Sequence, residues 1–275
     1  MIVDAHHHFW DPSRRDYPWM GDELAAIRRP FGPNDLRPLL ADNGVEKTIL
    51  VQTVSSLEET REFLETAAAY EFVGGVVGWV DLTSPAVEET IASLVSDLLV
   101  GIRHQVHDEP DARWLLRDDA QRGIAAVGDA GLVYDLLVRT RELPAALETV
   151  RRHRGTSFVI DHAAKPRIAG GSWDAGWEKA LEPFGDKPNV ACKLSGLVTE
   201  ADWKSWTPEQ LAPYVQRVLD WFGPERCMFG SDWPVCLLAA DYARVMDSLQ
   251  QIVGPDEWIF GNTARRVYRL ADLEP

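Results

Sequence analysis

The sequence predicts a single-domain (β/α)8 barrel that takes in residues 1–275. Three observations predict it: short apolar runs rich in β-branched residues alternate with longer amphipathic segments, eight such runs occur, and no Ser/Gly-rich linker separates them. Eight parallel strands with helical crossovers close a barrel, and such barrels use about 250 residues as one unit. The composition, 45% hydrophobic and 26% charged, is that of an ordered globular chain.

The eight apolar runs are the expected strands, and each is followed by a segment with turn residues or helical periodicity. Because every strand returns through a helical segment, neighbouring strands are expected to run parallel. The predicted strands are Ile2–His8, Thr48–Thr53, Gly75–Asp81, Val100–His104, Leu132–Val138, Phe158–His162, Asn189–Ser195 and Met228–Asp232.

Helix signals occupy the intervals between these runs. Ser56 and Glu59 have the spacing of a capping box, and Ser84 followed by Pro85 is typical of the start of the next helix. The segment Thr207–Phe222 carries an apolar stripe and stops at a Gly-Pro pair. We expect these helices to pack on the outer wall of the barrel.

Charge and cysteine content restrict the partners and the compartment. With 28 basic and 43 acidic residues the formal net charge is −15, which disfavours nucleic acid and anionic membranes as partners. Cys192, Cys227 and Cys236 form no CxxC pair and are expected to be reduced thiols. Neither a signal peptide nor a spanning segment is evident, so a cytoplasmic location is expected. The sequence leaves open whether the chain forms a homo-oligomer.

The first predicted strand ends in three consecutive histidines. Side chains alternate along a strand, so His6 and His8 share one face and His7 points to the other. Catalytic groups of such barrels project from the carboxyl ends of strands. Two imidazoles there suit either metal ligation or a pair of hydrogen-bond donors.

Two further strand ends carry candidate catalytic groups. His162 follows the apolar run Phe158–Ile160, and Asp232 closes the last predicted strand. The alternatives are a structural histidine with satisfied hydrogen bonds and an aspartate that caps a turn. Together with His6 and His8, these residues supply what a hydrolysis needs, namely an aspartate that accepts a proton from water and imidazoles or a metal that stabilise an oxyanion.

Other polar and aromatic residues at strand ends are candidates for substrate binding. The guanidinium of Arg103 suits hydroxyl or carboxylate groups, although an ion pair with Asp135 or Asp81 would equally explain it. Tryptophans at strand ends offer flat faces to a sugar ring or simply pack in the core. The candidates are Arg103, Gln52, His104, Lys193, Trp79 and Trp233.

Several motifs along the whole chain resemble the amidohydrolase superfamily, of the amidohydrolase 2 type. Within it they are most similar to the sugar-lactone hydrolases, the L-fuconolactonase and L-rhamnono-gamma-lactonase type. The strand-one and strand-eight motifs are specific for the superfamily, and the others point to this branch. The motifs are Asp4–Asp11, Gly101–Arg103, Ile160–His162 with Lys165-Pro166, Lys193–Gly196, Phe229–Pro234 and Gly261–Ala264.

The resemblance implies a TIM barrel that hydrolyses a sugar (aldono) lactone to the aldonic acid. It gives His6 and His8 the role of the strand-one HxH pair, and Asp232 that of the aspartate that activates water. Together with His162 they would also be the ligands of a metal. Superfamily members that hold a metal firmly usually carry histidines on strands five and six, whereas strand five here offers Asp135.

The resemblance therefore implies that no cofactor is required, or that one weakly bound divalent cation, most plausibly zinc, is held. The expected partner is a small-molecule sugar lactone. Two alternatives stay open. A metal-dependent decarboxylase of an aromatic or unsaturated acid would use the same residues, and a sugar-acid binding protein would lack turnover.

Overall fold

The computed structural model describes residues 1–270, and eight parallel strands form one sheet in the order β1 to β8. Every strand that the sequence predicts is present, and each pairs with the next in the chain. The predicted (β/α)8 barrel is confirmed. The strands are β1 (Ile2–His7), β2 (Val45–Val51), β3 (Val73–Gly78), β4 (Leu99–His104), β5 (Val133–Leu136), β6 (Phe158–Ile160), β7 (Val190–Leu194) and β8 (Cys227–Phe229).

Seven of the eight strands end one to three residues before the predicted end, and for β6 and β8 the predicted end is a candidate catalytic residue. The prediction that β6 reaches His162 and that β8 reaches Asp232 is wrong. Both residues have a positive φ, 54° for His162 and 56° for Asp232. A left-handed conformation cannot continue a strand, so the chain turns at these points.

Helices lie between the strands and cover the outside of the sheet. Ser56 caps its helix by accepting a hydrogen bond from the backbone N–H of Glu59 at 3.2 Å, as predicted, but the Glu59 carboxylate instead accepts from the backbone of Thr53. The helix predicted to start at Pro85 begins at Val87. The helices are α1 (Pro33–Asp42), α2 (Leu57–Ala69), α3 (Val87–Leu94), α4 (Asp118–Asp129), α5 (Leu143–Arg152), α6 (Ala175–Leu181), α7 (Leu197–Glu200), α8 (Pro208–Phe222), α9 (Tyr242–Val253) and α10 (Thr263–Tyr268).

Apolar side chains form two layers. The larger layer lies between the sheet and the helices, and the smaller one fills the barrel interior with side chains from neighbouring strands. The interior layer is capped by Tyr268 of α10. Its members include Val3, Ala5, Ile49, Val51, Val77, Val133, Val159, Ala191 and Met228.

The barrel closes between its first and last strands at the carboxyl end. The backbone N–H of Asp232 donates to the carbonyl of His6 at 2.8 Å, and that of His8 donates to the carbonyl of Trp233 at 2.7 Å. Side chains reinforce the seam, because the buried Asp4 carboxylate accepts from the Ser231 hydroxyl at 2.6 Å. The ends of β1 and β8 are therefore held side by side.

Two further expectations concern the state of the cysteines and the presence of membrane-spanning helices. Cys192, Cys227 and Cys236 are buried and free, as the sequence predicts. Within residues 1–270, no helix combines the length and apolar character needed to cross a bilayer.

Candidate active site

The strand-one histidines face one another inside the barrel. His6 Nε2 lies 3.2 Å from His8 Nε2, whereas His7 points away and contacts the hydroxyl of Thr48 at 2.8 Å. Ala5 faces the barrel interior, so strict alternation of side chains along β1 would turn His7 into the interior as well. A register shift in the pairing of β1 with β2 between Asp4 and His7 changes this phase, so His6 and His8 enter the barrel instead.

Asp232 lies beside this pair. One carboxylate oxygen is 3.4 Å from His8 Nε2 and 3.8 Å from His6 Nε2, and the Asp232 side chain is 6% exposed. The left-handed backbone of Asp232 follows directly on the seam with β1. A non-glycine residue in this conformation is strained and is held there by its surroundings. Here its own N–H bonds His6, and Asp4 holds the preceding Ser231.

His162 belongs to an unusual left-handed turn after β6. Residues 162–165 all have positive φ, between 48° and 58°. The turn is anchored by Trp177, whose indole donates to the Ala163 carbonyl at 2.6 Å. His162 contacts the Ser195 hydroxyl through Nδ1 at 2.9 Å, and its ring centroid is 4.4 Å from that of His6.

Gly196 makes room for two of these groups. It has a φ of 64°, and a Cβ added there would lie 2.5 Å from His162 Nδ1 and 3.2 Å from an Asp232 carboxylate oxygen. Both observations require glycine at this position. The loop after β7 thus forms a wall against which His162 and Asp232 pack.

Below the histidines lies a buried cluster of charges, each supplied by a different strand or strand end. Arg103 pairs with Asp161 at 2.9 Å, so the ion pair that was the alternative to substrate binding is formed, but with neither Asp135 nor Asp81. The fully buried Lys193 instead contacts Asp135 at 2.6 Å and Asp161 at 3.0 Å. Asp161 projects from the end of the strand next to Asp135, where it meets both cations.

The predicted substrate-binding residues surround the site but are already bonded to protein. Gln52 is fully buried and accepts from Arg103 Nε at 2.9 Å. Trp79 donates to His104 Nδ1 at 3.0 Å, and both side chains are half-buried. Trp233 is 2% exposed and packs edge-on against Phe31. These contacts favour positioning roles over direct binding for Gln52 and Trp233.

Three residues of the site were not among the candidates. Asp161, Lys165 and Ser195 all lie within motifs that carry the family resemblance, and that membership was the available signal. Lys165 is half-buried, and within the described part of the chain its ammonium makes no hydrogen bond or ion pair. It ends the turn that carries His162, and it acts electrostatically on His162 and Asp232.

Burial sets the protonation states of the site. It lowers the pKa of His162 to about 4, that of His6 well below the usual value, and that of His8 as well, so all three are neutral at pH 7. Burial alone would raise the pKa of Asp232, but nearby His162 and His8 hold it below its usual value. An ionised carboxylate therefore lies among neutral imidazoles.

Two sets of side chains are close enough together to hold a metal ion. His6, His8 and Asp232 form one set, and His6, Asp161 and His162 form the other, with ligand atoms within 4.8 Å of one another in each. The predicted four ligands therefore divide between two sets that share His6. Imidazole nitrogen with carboxylate oxygen is a donor combination that zinc accepts.

Comparisons with known proteins agree with this architecture. The L-fucono-1,5-lactonase of Burkholderia ambifaria is 44% identical over 98% of this chain and 95% of its own length. The L-fucono-1,5-lactonase of Burkholderia multivorans is 38% identical over 98% of this chain and 96% of its own.

A solved structure and a family model also match this chain over nearly its whole length. A crystal structure of an amidohydrolase from Burkholderia multivorans with bound zinc matches with a TM-score of 0.94 at 38% identity, over 98% of this chain and 100% of that one. The family model Amidohydro_2, described as amidohydrolase, matches residues 3–270. The chain therefore belongs to the amidohydrolase family.

Proposed function

We propose that this protein hydrolyses a sugar (aldono) lactone to the aldonic acid. The observation that carries the proposal is the meeting of Asp232 with His6, His8 and His162 at the carboxyl end of the barrel. Similarity to the two L-fucono-1,5-lactonases supports a lactone of the sugar class as the substrate. The ring size and the particular sugar are questions for experiment.

Asp232 acts as the general base in this mechanism. Its ionised carboxylate takes a proton from water, and the resulting hydroxide forms a bond to the lactone carbonyl carbon. When the ring C–O bond breaks, Asp232 returns the proton to the leaving alkoxide oxygen. The positive φ of Asp232 aims its side chain at the histidines rather than along the strand, which places base and donors on one side of the cavity.

The imidazoles act on the carbonyl oxygen. A neutral histidine carries one N–H, and a preorganised N–H donor in a site shielded from water stabilises an oxyanion more strongly than water does. The ring centroids of His6 and His162 are 4.4 Å apart. A donor from β1 and a donor from the turn after β6 can therefore contact the same carbonyl oxygen. The ammonium of Lys165 adds positive charge beside Asp232 and is free to contact a substrate oxygen.

A divalent cation fits the distances of this site. His6, His8 and Asp232 would hold it, since their ligand atoms lie within 4.8 Å of one another. A bound cation would polarise the lactone carbonyl and lower the pKa of water. With the cation bound, the ligating nitrogens of His6 and His8 would hold it and could not donate an N–H to the carbonyl oxygen. We propose that such a cation is held weakly.

The test is acid release from a panel of aldonolactones of both ring sizes, measured with and without a chelator. We expect turnover of at least one lactone, and retention of that turnover after chelation. The absence of acid release from every lactone, with release of carbon dioxide from an aromatic acid, would instead identify a decarboxylase. Loss of activity on chelation would contradict the weak-cation part of the proposal.

A further inference from the structure

A chain of short contacts runs from a buried ammonium through both strand-one histidines to a backbone carbonyl. Lys193 Nζ lies 3.1 Å from His6 Nδ1, and His6 Nε2 lies 3.2 Å from His8 Nε2. His8 Nδ1 lies 2.7 Å from the carbonyl oxygen of Val51. All of these side chains are nine-tenths buried or more. We call this chain the Lys193 relay.

The two ends of the relay fix the direction of every hydrogen bond in it. An ammonium has three N–H donors and no acceptor, so His6 Nδ1 must accept and carries no proton. A carbonyl oxygen only accepts, so His8 Nδ1 must carry a proton. The proton of His6 is then on Nε2, from which it is donated to the free lone pair of His8 Nε2.

We propose that Lys193 is a positioning residue that fixes the proton of His6 on Nε2. His6 then presents an N–H donor to the reaction site and no lone pair to a divalent cation. A neutral His6 could carry its proton on either ring nitrogen, and the relay selects the tautomer with the proton on Nε2.

The other charged groups near His6 lie farther from its ring nitrogens than Lys193 does. The Asp161 carboxylate lies 3.4 Å from His6 Nδ1, farther than the Lys193 ammonium. Arg103 Nη1 lies 3.3 Å from His6 Nε2, but it donates to Asp161 at 2.9 Å. Both cations are donors only, so each disfavours a proton on the ring nitrogen that it faces. Lys193 is the nearer of the two, at 3.1 Å against 3.3 Å, so the proton is placed on Nε2.

The relay has a consequence for metal binding that does not depend on the reaction. A cation bound to His6 Nε2 needs a lone pair there, so the proton would have to move to Nδ1. That movement breaks the hydrogen bond with Lys193 and brings an N–H within 3.1 Å of an ammonium. Lys193 therefore weakens divalent cation binding at His6, His8 and Asp232.

The consequence for catalysis rests on the proposed function. The His6 N–H, shared with His8 in the free protein, is available to the carbonyl oxygen of a bound lactone. A substitution at Lys193 should therefore lower kcat more than it changes KM, since an oxyanion donor acts mainly in the transition state.

The direct test is nitrogen NMR of the protein labelled at its histidines, with signals assigned from the His6→Gln and His7→Gln variants. We expect the proton of His6 on Nε2 in the wild-type protein, and a mixture of tautomers in Lys193→Met. The signals of His7, which lies on the opposite face, should not change. A proton on His6 Nδ1 in the wild-type protein would overturn the proposal.

Cobalt(II) titration followed by visible absorption provides a second measurement independent of activity. Lys193→Met should bind cobalt at least about tenfold more tightly than wild type, the effect expected for loss of one charged hydrogen bond. The exposed Lys204→Met variant removes the same charge elsewhere and should bind as wild type does. Equal affinity in Lys193→Met and wild type would contradict the relay.

Removal of the buried ammonium leaves Asp135 without its cation, while Asp161 keeps Arg103. A second variant is therefore needed for the case in which Lys193→Met does not fold. Lys193→Met combined with Asp135→Asn removes one charge of each sign. The amide introduced by the second substitution retains an acceptor for the hydroxyl of Tyr268, which contacts Asp135 at 2.8 Å. The tautomer and cobalt results expected for this variant are the same. Failure of the lactonase assay in the wild-type protein would leave both readouts intact and would refute only the proposed function.

Discussion

The backbone N–H of Asp232 donates to the carbonyl oxygen of His6 at 2.8 Å, although the two residues lie in the last and the first strand of the chain. This bond joins the end of the barrel to its beginning at the level of the candidate catalytic groups. Because the Asp4 carboxylate also holds Ser231 beneath it, the closure of the barrel and the geometry of the site are one feature. Substitutions here test function and packing together, so each needs a matched control.

Asp232→Asn should retain the fold and lose at least about 10²-fold in kcat, because general base catalysis typically contributes a factor of that size. The measurement is steady-state kinetics on the best lactone, together with thermal unfolding. Asp241→Asn is the control, since Asp241 only caps α9 by accepting from the N–H of Arg244 at 2.8 Å. Near-wild-type turnover in Asp232→Asn would contradict the assigned role.

Gly196→Ala should reduce kcat by an order of magnitude or more. The added Cβ would lie 2.5 Å from His162 Nδ1, so the imidazole or the loop must move. The exposed Gly44→Ala is the control, because Gly44 has almost the same φ, 66° against 64°, and nothing within 4 Å of the added atom. Both variants should lose about 1–2 kcal/mol of unfolding free energy from the left-handed backbone, but only Gly196→Ala should lose activity. Equal kinetics in the two variants would exclude a role for this close approach.

Arg103→Met should lower the free energy of unfolding by about 3–5 kcal/mol, because it leaves the buried carboxylate of Asp161 without its guanidinium. Urea denaturation measures this loss. The exposed pair of Arg139 with Glu200, at 3.0 Å, provides the comparison, and Arg139→Met should cost at most about 1 kcal/mol. A similar small loss in both variants would show that the buried charge cluster is not under strong desolvation.

Lys165→Met should raise the KM for the lactone several-fold, because the half-buried ammonium is the cation near the site whose hydrogen-bond capacity is unused by the described residues. Inhibition by the aldonate product should weaken by a larger factor, since a carboxylate attracts an ammonium more strongly than a neutral lactone does. Lys204→Met is again the charge-matched control. Unchanged KM and unchanged product inhibition would place Lys165 outside the substrate contacts.

Stability should fall as the pH decreases below about 6.5. Burial is the first cause of the lowered pKa of every one of the seven histidines, to about 3 for His7 and about 2 for His107. The unfolded state then binds more protons than the folded state, so the free energy of unfolding is retained above pH 6.5 and lost on acidification.

His107→Gln isolates one of these groups, because it lies outside the two candidate metal sets. Between pH 6 and pH 5 the wild type should lose about 1 kcal/mol more unfolding free energy than this variant, the linkage expected for one histidine that is neutral when folded. Denaturation curves at the two pH values give the difference. Parallel losses in the two proteins would show that His107 is protonated in the folded state.

The sequence was sufficient to predict the eight strands and the convergence of four functional groups. Apolar runs define the strands, and parallel strands bring their carboxyl ends to one face, so His6 and Asp232 had to meet if the barrel closed. The outer limits of β6 and β8 were not predictable in the same way. The left-handed conformations at His162 and Asp232 are uncommon for any residue other than glycine and depend on surrounding tertiary contacts.

Pairing inside the barrel was also beyond sequence reasoning. The alternative considered for Arg103 was an ion pair with Asp135 or Asp81, but Arg103 pairs with Asp161 and leaves Asp135 to Lys193. The phase of β1 likewise depends on a register shift that no residue pattern announces. Ion-pair partners and strand register depend on how the strands are placed in three dimensions, and the local sequence does not determine them.

The seam between β1 and β8 also determines when the enzyme can first work during its synthesis. The ribosome releases His6 and His8 at the outset, but their neighbour Asp232 emerges only after the other seven strands. A nascent chain that stops short of β8 has both histidines and lacks the carboxylate beside them. The proposed site is therefore completed in one step, at the moment when the final strand docks on the first.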